Sequence, residues 1–321
     1  MKAAVVREFG HPPSYGEFDD PLVRPGETVV SASASAVTPL AIGRASGTHY
    51  SSDTKPPFVP GVDGVGTTPD GRRVYFSFIR PPYGSLAERV PVRAGFMAPV
   101  PDGLNDASAA AAAISGMSCW VPLTRRARVV SGESVLVNGA TGAAGRMAVQ
   151  VAKHLGAQRV IATGRNEAKL RALTELGADV VVPLGDLGDP FRETIRREAA
   201  ESKVGVVLDY LWGRSAEVLV DILGGPDGPR GTSLVRFVHI GSMMGPTASI
   251  PGAKLRSSGL EILGTGLGST PNPEIVVAIG EFLGACAASH FRVDADVHPL
   301  SEVGTLWTPA VDDKRVVFSI P

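Results

Sequence analysis

Between Ser134 and about Thr265 the chain alternates two hydrophobic rhythms. Short, continuously apolar and mostly β-branched runs read SVLVNG (134–139), RVIATG (159–164), DVVVPL (179–184), VGVVLDYL (204–211), SLVRFVHIG (233–241) and LEILGTG (260–266). Such runs predict strands buried on both faces. Between them apolar residues recur three or four apart. Ala144, Ala148, Val151, Ala152 and Leu155 mark a helix that stops at Gly156. Leu170, Leu173 and Leu176 mark a second, capped by Asn166 and stopped at Gly177. Phe191 and Ile195 mark a third, and SAEVLVDIL (215–223) reads as a fourth. Six strands with interleaved helices predict an α/β fold, a doubly wound parallel sheet of the Rossmann, dinucleotide-binding kind.

Residues 1–118 follow a different pattern. Short strand-like runs such as KAAVV, GETVVSASAS and SLAERVPV stand between Pro/Gly clusters, which predicts a strand-rich, partly barrel-like module. NDASAAAAAISGM (105–117) predicts a joining helix capped by Asn105 or Asp106, and the closing DKRVVFSIP reads as a strand that returns to the first module. GGPDGPRG (224–231) reads as a flexible connector. The expected division is therefore a β-rich domain from 1–118 and 268–321, and a dinucleotide-binding domain over 119–267.

Composition narrows the classes. The 321 residues are 44% hydrophobic and 20% charged, with a net charge of −1, which fits a folded globular chain of two domains and offers no field for nucleic acid or acidic lipid. Cys119 and Cys286 stand far apart, too few for a disulfide framework or a multi-cysteine zinc site. The opening MKAAVVREFG has no apolar signal-peptide core, and Gly, Pro or charges interrupt every run before about 18 apolar residues accumulate. The expectation is a cytoplasmic chain with no nucleic-acid or membrane partner.

The chemistry begins at VLVNGATGAAGRMAVQVAK (135–153). Ala140, Gly142 and Gly145 hold the three positions of a G-x-G-x-x-G turn, with Gly139 just ahead and Thr141, Ala143 and Ala144 between and after. Residues without bulk let backbone N–H groups approach a pyrophosphate, and the helix starting near Ala143 turns its positive end to the same place. An NAD site usually has an acid about twenty residues on, at the end of the second strand. Here the sequence reads ATGRNEAK: Gly164 is followed by Arg165, then Asn166, with Lys169 beyond. An Asp would repel a 2′-phosphate, whereas an Arg pairs with it through two parallel hydrogen bonds. NADPH over NADH is therefore expected, with a solvated surface arginine as the plainer alternative.

These features together resemble a zinc-independent medium-chain dehydrogenase/reductase of the quinone-oxidoreductase type. The resemblance covers nearly the whole chain. It rests on MKAAVVREFG, PPFVPGVDGVG, AAAAAISGMSCWVPL, the 135–157 stretch, ELGADVV, GVVLDYLWG and KRVVFSIP. It implies a GroES-like catalytic domain beside the Rossmann domain. Where the zinc-dependent branch has Cys and a Gly-His-Glu motif, this chain has Val37-Thr38-Pro39 and Gly61-Val62-Asp63. Its six histidines, at 11, 49, 154, 239, 290 and 298, are scattered. No metal is expected. Without a Lewis acid the chemistry left is hydride transfer to acceptors already poised for it, quinones or activated alkenes.

The resemblance also implies site residues. Relatives often read Asn-Pro-x-Asp where this chain has Thr38, Pro39, Leu40 and Ala41, so only the Thr38 hydroxyl remains to donate to nicotinamide or substrate; a turn-stabilising role is its alternative. Tyr50 corresponds, with a one-residue shift, to an active-site tyrosine that can hydrogen-bond an oxyanion, or it is a loop residue covering the cleft. Ser118 corresponds to a small hydroxylic residue near the nicotinamide, or packs in a helix. Asp209 stands at the carboxyl edge of the fourth strand, where it organises a loop more readily than it does chemistry. Gly241 and Ser242 after the fifth strand, and Gly266 and Leu267 after the sixth, are expected to line the nicotinamide pocket through their backbone. Met243 and Met244 read as pocket wall or interface, and Cys119 as core. A homodimer through paired sixth strands is implied. The rival readings are an NADPH-dependent enone or 2-alkenal reductase, and a non-enzymatic NADPH-binding protein.

Overall fold

The six apolar runs between 134 and 266 become the strands of one six-stranded sheet, and the remaining described strands form an eight-stranded sheet and a separate two-stranded one. The computed structural model describes residues 1–52, 54–224, 234–311 and 314–321. Two units emerge: unit 1 is Met1–Ile114 with Thr270–Pro321, and unit 2 is Ser115–Ser269.

The chain opens in unit 1 with β1 (Lys2–Val5), β2 (Ser14–Glu17) and β3 (Glu27–Ala36), then α1 (Pro39–Ala45). β4 (Asp63–Thr67), β5 (Arg73–Ser77), β6 (Arg89–Arg93) and β7 (Met97–Pro99) follow, and α2 (Asp106–Val121) carries the chain across the boundary. Asn105 caps α2 by accepting from the Ser108 N–H at 2.8 Å. The helix runs past the expected end at 117 and closes on a π-type turn, Pro122–Arg126. Taken together, Asp106–Arg126 is long and apolar enough to cross a bilayer, at a mean hydropathy of 1.2. A search for uninterrupted apolar runs passes over this segment because glycine and serines punctuate it. Its most apolar stretch is 67% buried inside the protein, as a core helix would be.

Unit 2 contains β8 (Ser134–Asn138), α3 (Ala143–His154), β9 (Arg159–Gly164), α4 (Glu167–Arg171), β10 (Val180–Pro183), α5 (Asp189–Ser202), β11 (Val204–Asp209), α6 (Gly213–Leu223), β12 (Val235–His239), α7 (Gly252–Arg256) and β13 (Leu260–Gly264). The strands form one parallel sheet in the order β10-β9-β8-β11-β12-β13. This is the doubly wound Rossmann order, with its reversal between β8 and β11. Leu136, Ile161, Val207 and Phe237 on one face pack with Phe191, Ile195, Leu219 and Ile222 of α5 and α6. Two expectations shift. The fourth strand ends at Asp209, and Tyr210 and Leu211, though apolar, belong to the turn that follows. The second helix is a short α4 that tightens into a 3₁₀ segment, Ala172–Leu176, before the left-handed Gly177 stop. Residues 225–231 of the expected connector lie outside the described residues.

The chain then returns to unit 1 with α8 (Asn272–Ala288), β14 (Ala295–Pro299), β15 (Ala310–Val311) and β16 (Lys314–Ser319). β16 pairs with β3 antiparallel and with β14 parallel, and the path continues β3-β4-β5-β7. The core of this unit gathers Ala3 and Val5 of β1, Val30, Val74, Phe76, Val90, Val316 and Phe318. Helix α8 had no counterpart in the hydrophobic rhythm of the sequence.

Candidate functional site

In unit 2 the carboxyl ends of three strands are tied together by buried polar side chains. The Thr163 hydroxyl donates to Asn138 Oδ1 at 2.7 Å, and Asn138 Nδ2 donates to Asp209 Oδ1 at 2.7 Å and Ser215 Oγ at 3.0 Å. Thr163 also accepts from the start of the turn: its Oγ1 from the Gly139 N–H at 3.1 Å, its carbonyl from the Ala140 N–H at 2.7 Å. Asn138, Thr163 and Asp209 are all fully buried. Burial makes every unpaired group here expensive, so a satisfied chain of bonds fixes one geometry for the strand ends and for the turn they hold.

Asp209 finishes the chain by accepting from the Leu211 N–H at 3.1 Å and the Trp212 N–H at 3.1 Å. Trp212 has a φ of 57°, a left-handed conformation unusual for a bulky residue, and those bonds hold it there. Its ring lies over His239 with centroids 4.3 Å apart. Burial raises the Asp209 carboxyl, while the Asn138 amide and the two N–H groups pull the other way. Asp209 is therefore an organiser of the loop.

The turn itself is shaped by absent side chains. At Gly145 a Cβ would stand 2.5 Å from Ala140 Cα and 2.6 Å from Gly139 O, so the first turn of α3 can seat against the turn only as glycine. Gly139 has a φ of 91°, and a Cβ there would meet Leu211 Cδ2 at 2.8 Å. Gly142, the N-cap of α3, is exposed, has no atom within 4 Å of its Cβ position, and contributes no side-chain cap. The leading N–H groups of α3 are thus open to an anion at the positive end of the helix. Thr141, Ala143 and Ala144 are half-buried around it, and Ala140 is buried.

The expected phosphate-side residues sit at the end of β9. Gly164 is buried, with its Cβ position 2.5 Å from Thr141 Cγ2, and so joins the second strand end to the turn. Arg165 follows, exposed. Asn166 Oδ1 accepts from the Lys169 N–H at 3.0 Å and caps α4, so its side-chain oxygen is engaged. Lys169 is exposed one turn on. On the far half of the same carboxyl edge, the Gly241 N–H donates to Asp209 O at 3.2 Å, Ser242 is exposed, and Met243 is 80% exposed. Beyond β13 the Gly266 N–H donates to Ser269 Oγ at 3.0 Å, with Leu267 half-buried beside it. Ser118 donates to its own helix at Ser115 O, 2.7 Å, while the buried Tyr210 hydroxyl donates to Ser118 O at 3.1 Å. Burial raises the Cys119 thiol, which keeps it a core residue.

In unit 1, Thr38 is buried and its Oγ1 accepts from the Ala41 N–H at 3.1 Å, making it the N-cap of α1. Its hydroxyl proton is not used by that bond. Tyr50 lies in the segment after α1, 75% exposed, with its ring stacked on His49 at 4.2 Å. Unit 1 also contains an unanticipated buried polar cluster. Asp63 is fully buried, opposite Ser77 in the β4–β5 register, and burial raises its carboxyl to about 7, opposed by Tyr75 and by the charge of Arg315. Arg315 donates to Val37 O at 3.2 Å and Pro309 O at 3.1 Å, fixing the backbone beside Thr38.

Residues missed from sequence are Asn138, Thr163, Trp212 and His239 in unit 2, and Arg315 in unit 1. Asn138 and Thr163 carried one faint signal, a polar residue at the end of an otherwise apolar buried strand.

Residues 143–279 match the family described as zinc-binding dehydrogenase. Across 96% of its length the chain is 30% identical to a probable NADPH-dependent quinone reductase of Emericella nidulans, covering 96% of that protein. Across 53% of its length it is 31% identical to a 2-methylene-furan-3-one reductase of Solanum lycopersicum, covering 49% of that protein. Among solved structures, the quinone oxidoreductase from Thermus thermophilus, also determined as a complex with NADPH, matches with a TM-score of 0.80 at 29% identity, over 99% of this chain and 100% of that one. The residues here do not fit the zinc of the family's description. Among the described residues no group of three or more His, Cys, Asp or Glu side chains is arranged so that it could hold a metal ion. Asp63, which stands in the Gly-His-Glu position, is buried against Tyr75 and Arg315.

Proposed function

Because the chain belongs to the medium-chain dehydrogenase/reductase family, in its quinone-oxidoreductase-like branch, we propose that it reduces quinones without zinc. It is an oxidoreductase, and its cofactor is NADPH. The observation that carries the site assignment is the turn at 139–145: an uncapped, open helix N-terminus at Gly142, followed on the next strand end by Arg165 in place of an acid.

The residues then divide the work. The leading N–H groups of α3 hold the diphosphate, and Arg165 pairs with the 2′-phosphate, with Lys169 adding charge. The Thr163–Asn138–Asp209 chain keeps the turn in shape before anything binds, so no reorganisation is needed. Ser118, Gly241, Ser242, Gly266 and Leu267 border the nicotinamide. When bound, NADPH supplies a hydride. As it reaches the acceptor carbon, the conjugated electron pair moves to the acceptor oxygen, and a proton from water or a hydroxyl completes the hydroquinone or enol. Unit 1 serves as the substrate domain, with Thr38 and Tyr50 as donors to that oxygen. β13, at the edge of the unit 2 sheet, pairs with its copy in a homodimer.

A second reading, reduction of enones or 2-alkenals, is favoured by the similarity to the furanone reductase; both substrates need the same hydride geometry. The test is NADPH consumption with 9,10-phenanthrenequinone, 1,4-benzoquinone and a medium-chain enone. Turnover of the quinones supports the first reading and turnover of the enone alone the second. Consumption with none of them removes both.

A further inference from the structure

Helix α2 is interrupted by its own sequence. Four residues after Ser118 stands Pro122, where the π-type turn begins. A proline has no N–H for the carbonyl four residues before it, and its ring crowds that carbonyl. Ser118 O is thus denied its ordinary helical donor. It accepts instead from a residue 92 positions away, the Tyr210 hydroxyl, at 3.1 Å. Tyr210 is 8% exposed, and burial pushes its phenol well above the ordinary value, so it keeps the proton it donates. Its Oη also stands 3.5 Å from Ser118 Oγ. The Ser118 proton goes to Ser115 O at 2.7 Å, which leaves Ser118 Oγ lone pairs to offer a ligand. The backbone of Tyr210 is tied on both sides. Its N–H donates to Asn138 O at 3.0 Å at the end of β8, and its carbonyl accepts from the Met243 N–H at 3.4 Å, after β12. Gly241 packs so close that a Cβ there would stand 2.9 Å from the same carbonyl. One residue therefore joins α2 to the ends of β8 and β12, all within unit 2.

We propose that Tyr210 is a positioning residue for hydride transfer: its hydroxyl fills the gap that Pro122 leaves at Ser118 O, and so holds Ser118 against residues 241–243 at the spacing the nicotinamide ring needs. The inference rests on the reading that Ser118 and Gly241 border the nicotinamide. Hydride transfer is sensitive to the placement of the reacting carbon, whereas the hold on NADPH comes mainly from its phosphates. Loss of the Tyr210 hydroxyl should then disturb the orientation of the ring and spare the affinity for the cofactor.

The test uses Tyr210→Phe, which removes one oxygen and keeps the buried ring, and Pro122→Ala, which restores the N–H at 122, singly and together. With NADPH and 9,10-phenanthrenequinone, the single-turnover rate of NADPH oxidation is expected to fall about ten-fold in Tyr210→Phe, with Kd for NADPH kept within about two-fold. The cost of losing the hydroxyl is expected to shrink when Pro122 is already Ala, because the helix then supplies its own donor. An unchanged rate in Tyr210→Phe overturns the proposal. So does a loss of rate matched by a loss of NADPH affinity, or a cost that is the same in both backgrounds. Should the wild type bind NADPH and reduce no quinone or enone, it is the acceptor reading that fails, and the ring is followed by the fluorescence of bound NADPH. Emission that moves toward that of free NADPH in Tyr210→Phe, at an unchanged Kd, and moves less in the Pro122→Ala background sustains the proposal; identical emission overturns it. A wild type that binds no NADPH shows the failure of the cofactor site before any variant is compared, and the proposal falls with it.

Discussion

Arg165 gains its meaning from what precedes it. Gly164 brings the end of β9 against Thr141 of the turn, so Arg165 follows directly on that contact, where the proposed function puts the 2′-phosphate. Hydrogen bonds to charged groups contribute about 1.5–3 kcal/mol. Arg165→Ala is therefore expected to raise KM for NADPH about ten-fold or more and to leave KM for NADH nearly unchanged. Steady-state kinetics with both nucleotides checks this, and an intact NADPH preference would free Arg165 from the assignment. Thr38 needs a different separation, because it caps α1 as well as carrying a hydroxyl. Thr38→Ala should cost about 1 kcal/mol of stability through the lost cap. A fall in kcat that Thr38→Ser restores would add a role in the reaction, whereas a lowered melting temperature with kcat intact leaves only the cap. Asp63 offers a prediction in pH. Its carboxyl is raised from 3.8 to about 7 in the folded chain, so between those values the folded state keeps a proton that the unfolded state has released. Its contribution is complete below about pH 4 and drains away as pH rises through about 7, by at most about 4 kcal/mol. Relative to wild type, Asp63→Asn should gain stability steadily from about pH 4 to about pH 7 in denaturant melts and level off above that. A constant difference would show that the carboxyl ionises alike in both states.

At the scale of elements, the sharpest test is the contact between α3 and the turn. Gly145→Ala puts a methyl 2.5 Å from Ala140 Cα, backbone against backbone, so the helix must move off the strand end. The open N–H groups move with it. NADPH affinity should fall by at least ten-fold, measured by fluorescence titration, while unit 2 stays folded by circular dichroism. An unaltered affinity would separate the turn from the nucleotide. The same elements explain what could be read beforehand. Strands buried on both faces betray themselves as apolar runs, which is why β8 to β13 were legible to within a few residues. Tyr210 and Leu211 extended one run because the turn after β11 is itself packed down, and apolar character does not tell a strand from a buried turn. Asn138, Thr163 and Asp209 were beyond reach as a group, since their bonds join strand ends separated by 25 to 71 positions. Helix α8 was invisible for another reason: NPEIVVAIGEFLGACAA is apolar on nearly every side, so no 3.6-residue stripe stands out from it.

For the molecule as a whole, the nucleotide and the two units differ in what they couple to. A ligand that binds only the folded form stabilises it by mass action, about 2.7 kcal/mol at a hundred-fold excess over Kd. NADPH should therefore raise the melting temperature of the wild type, NADH should raise it less, and Arg165→Ala should shrink the gap between them. Equal shifts from both nucleotides would contradict the phosphate assignment. The units also differ in how the chain composes them. Unit 2 is one continuous stretch, Ser115–Ser269, whereas unit 1 is completed by Thr270–Pro321. Its strand β16 lies between β14 and β3, and Phe318 and Val316 sit in the same core as Val5 and Val30. A ribosome therefore delivers everything unit 2 needs well before it delivers the piece that closes the other sheet. During synthesis the nucleotide-binding half can mature early, while β3 waits with part of one edge unpaired for a partner translated only after unit 2, and the nascent chain is most exposed to aggregation in that interval.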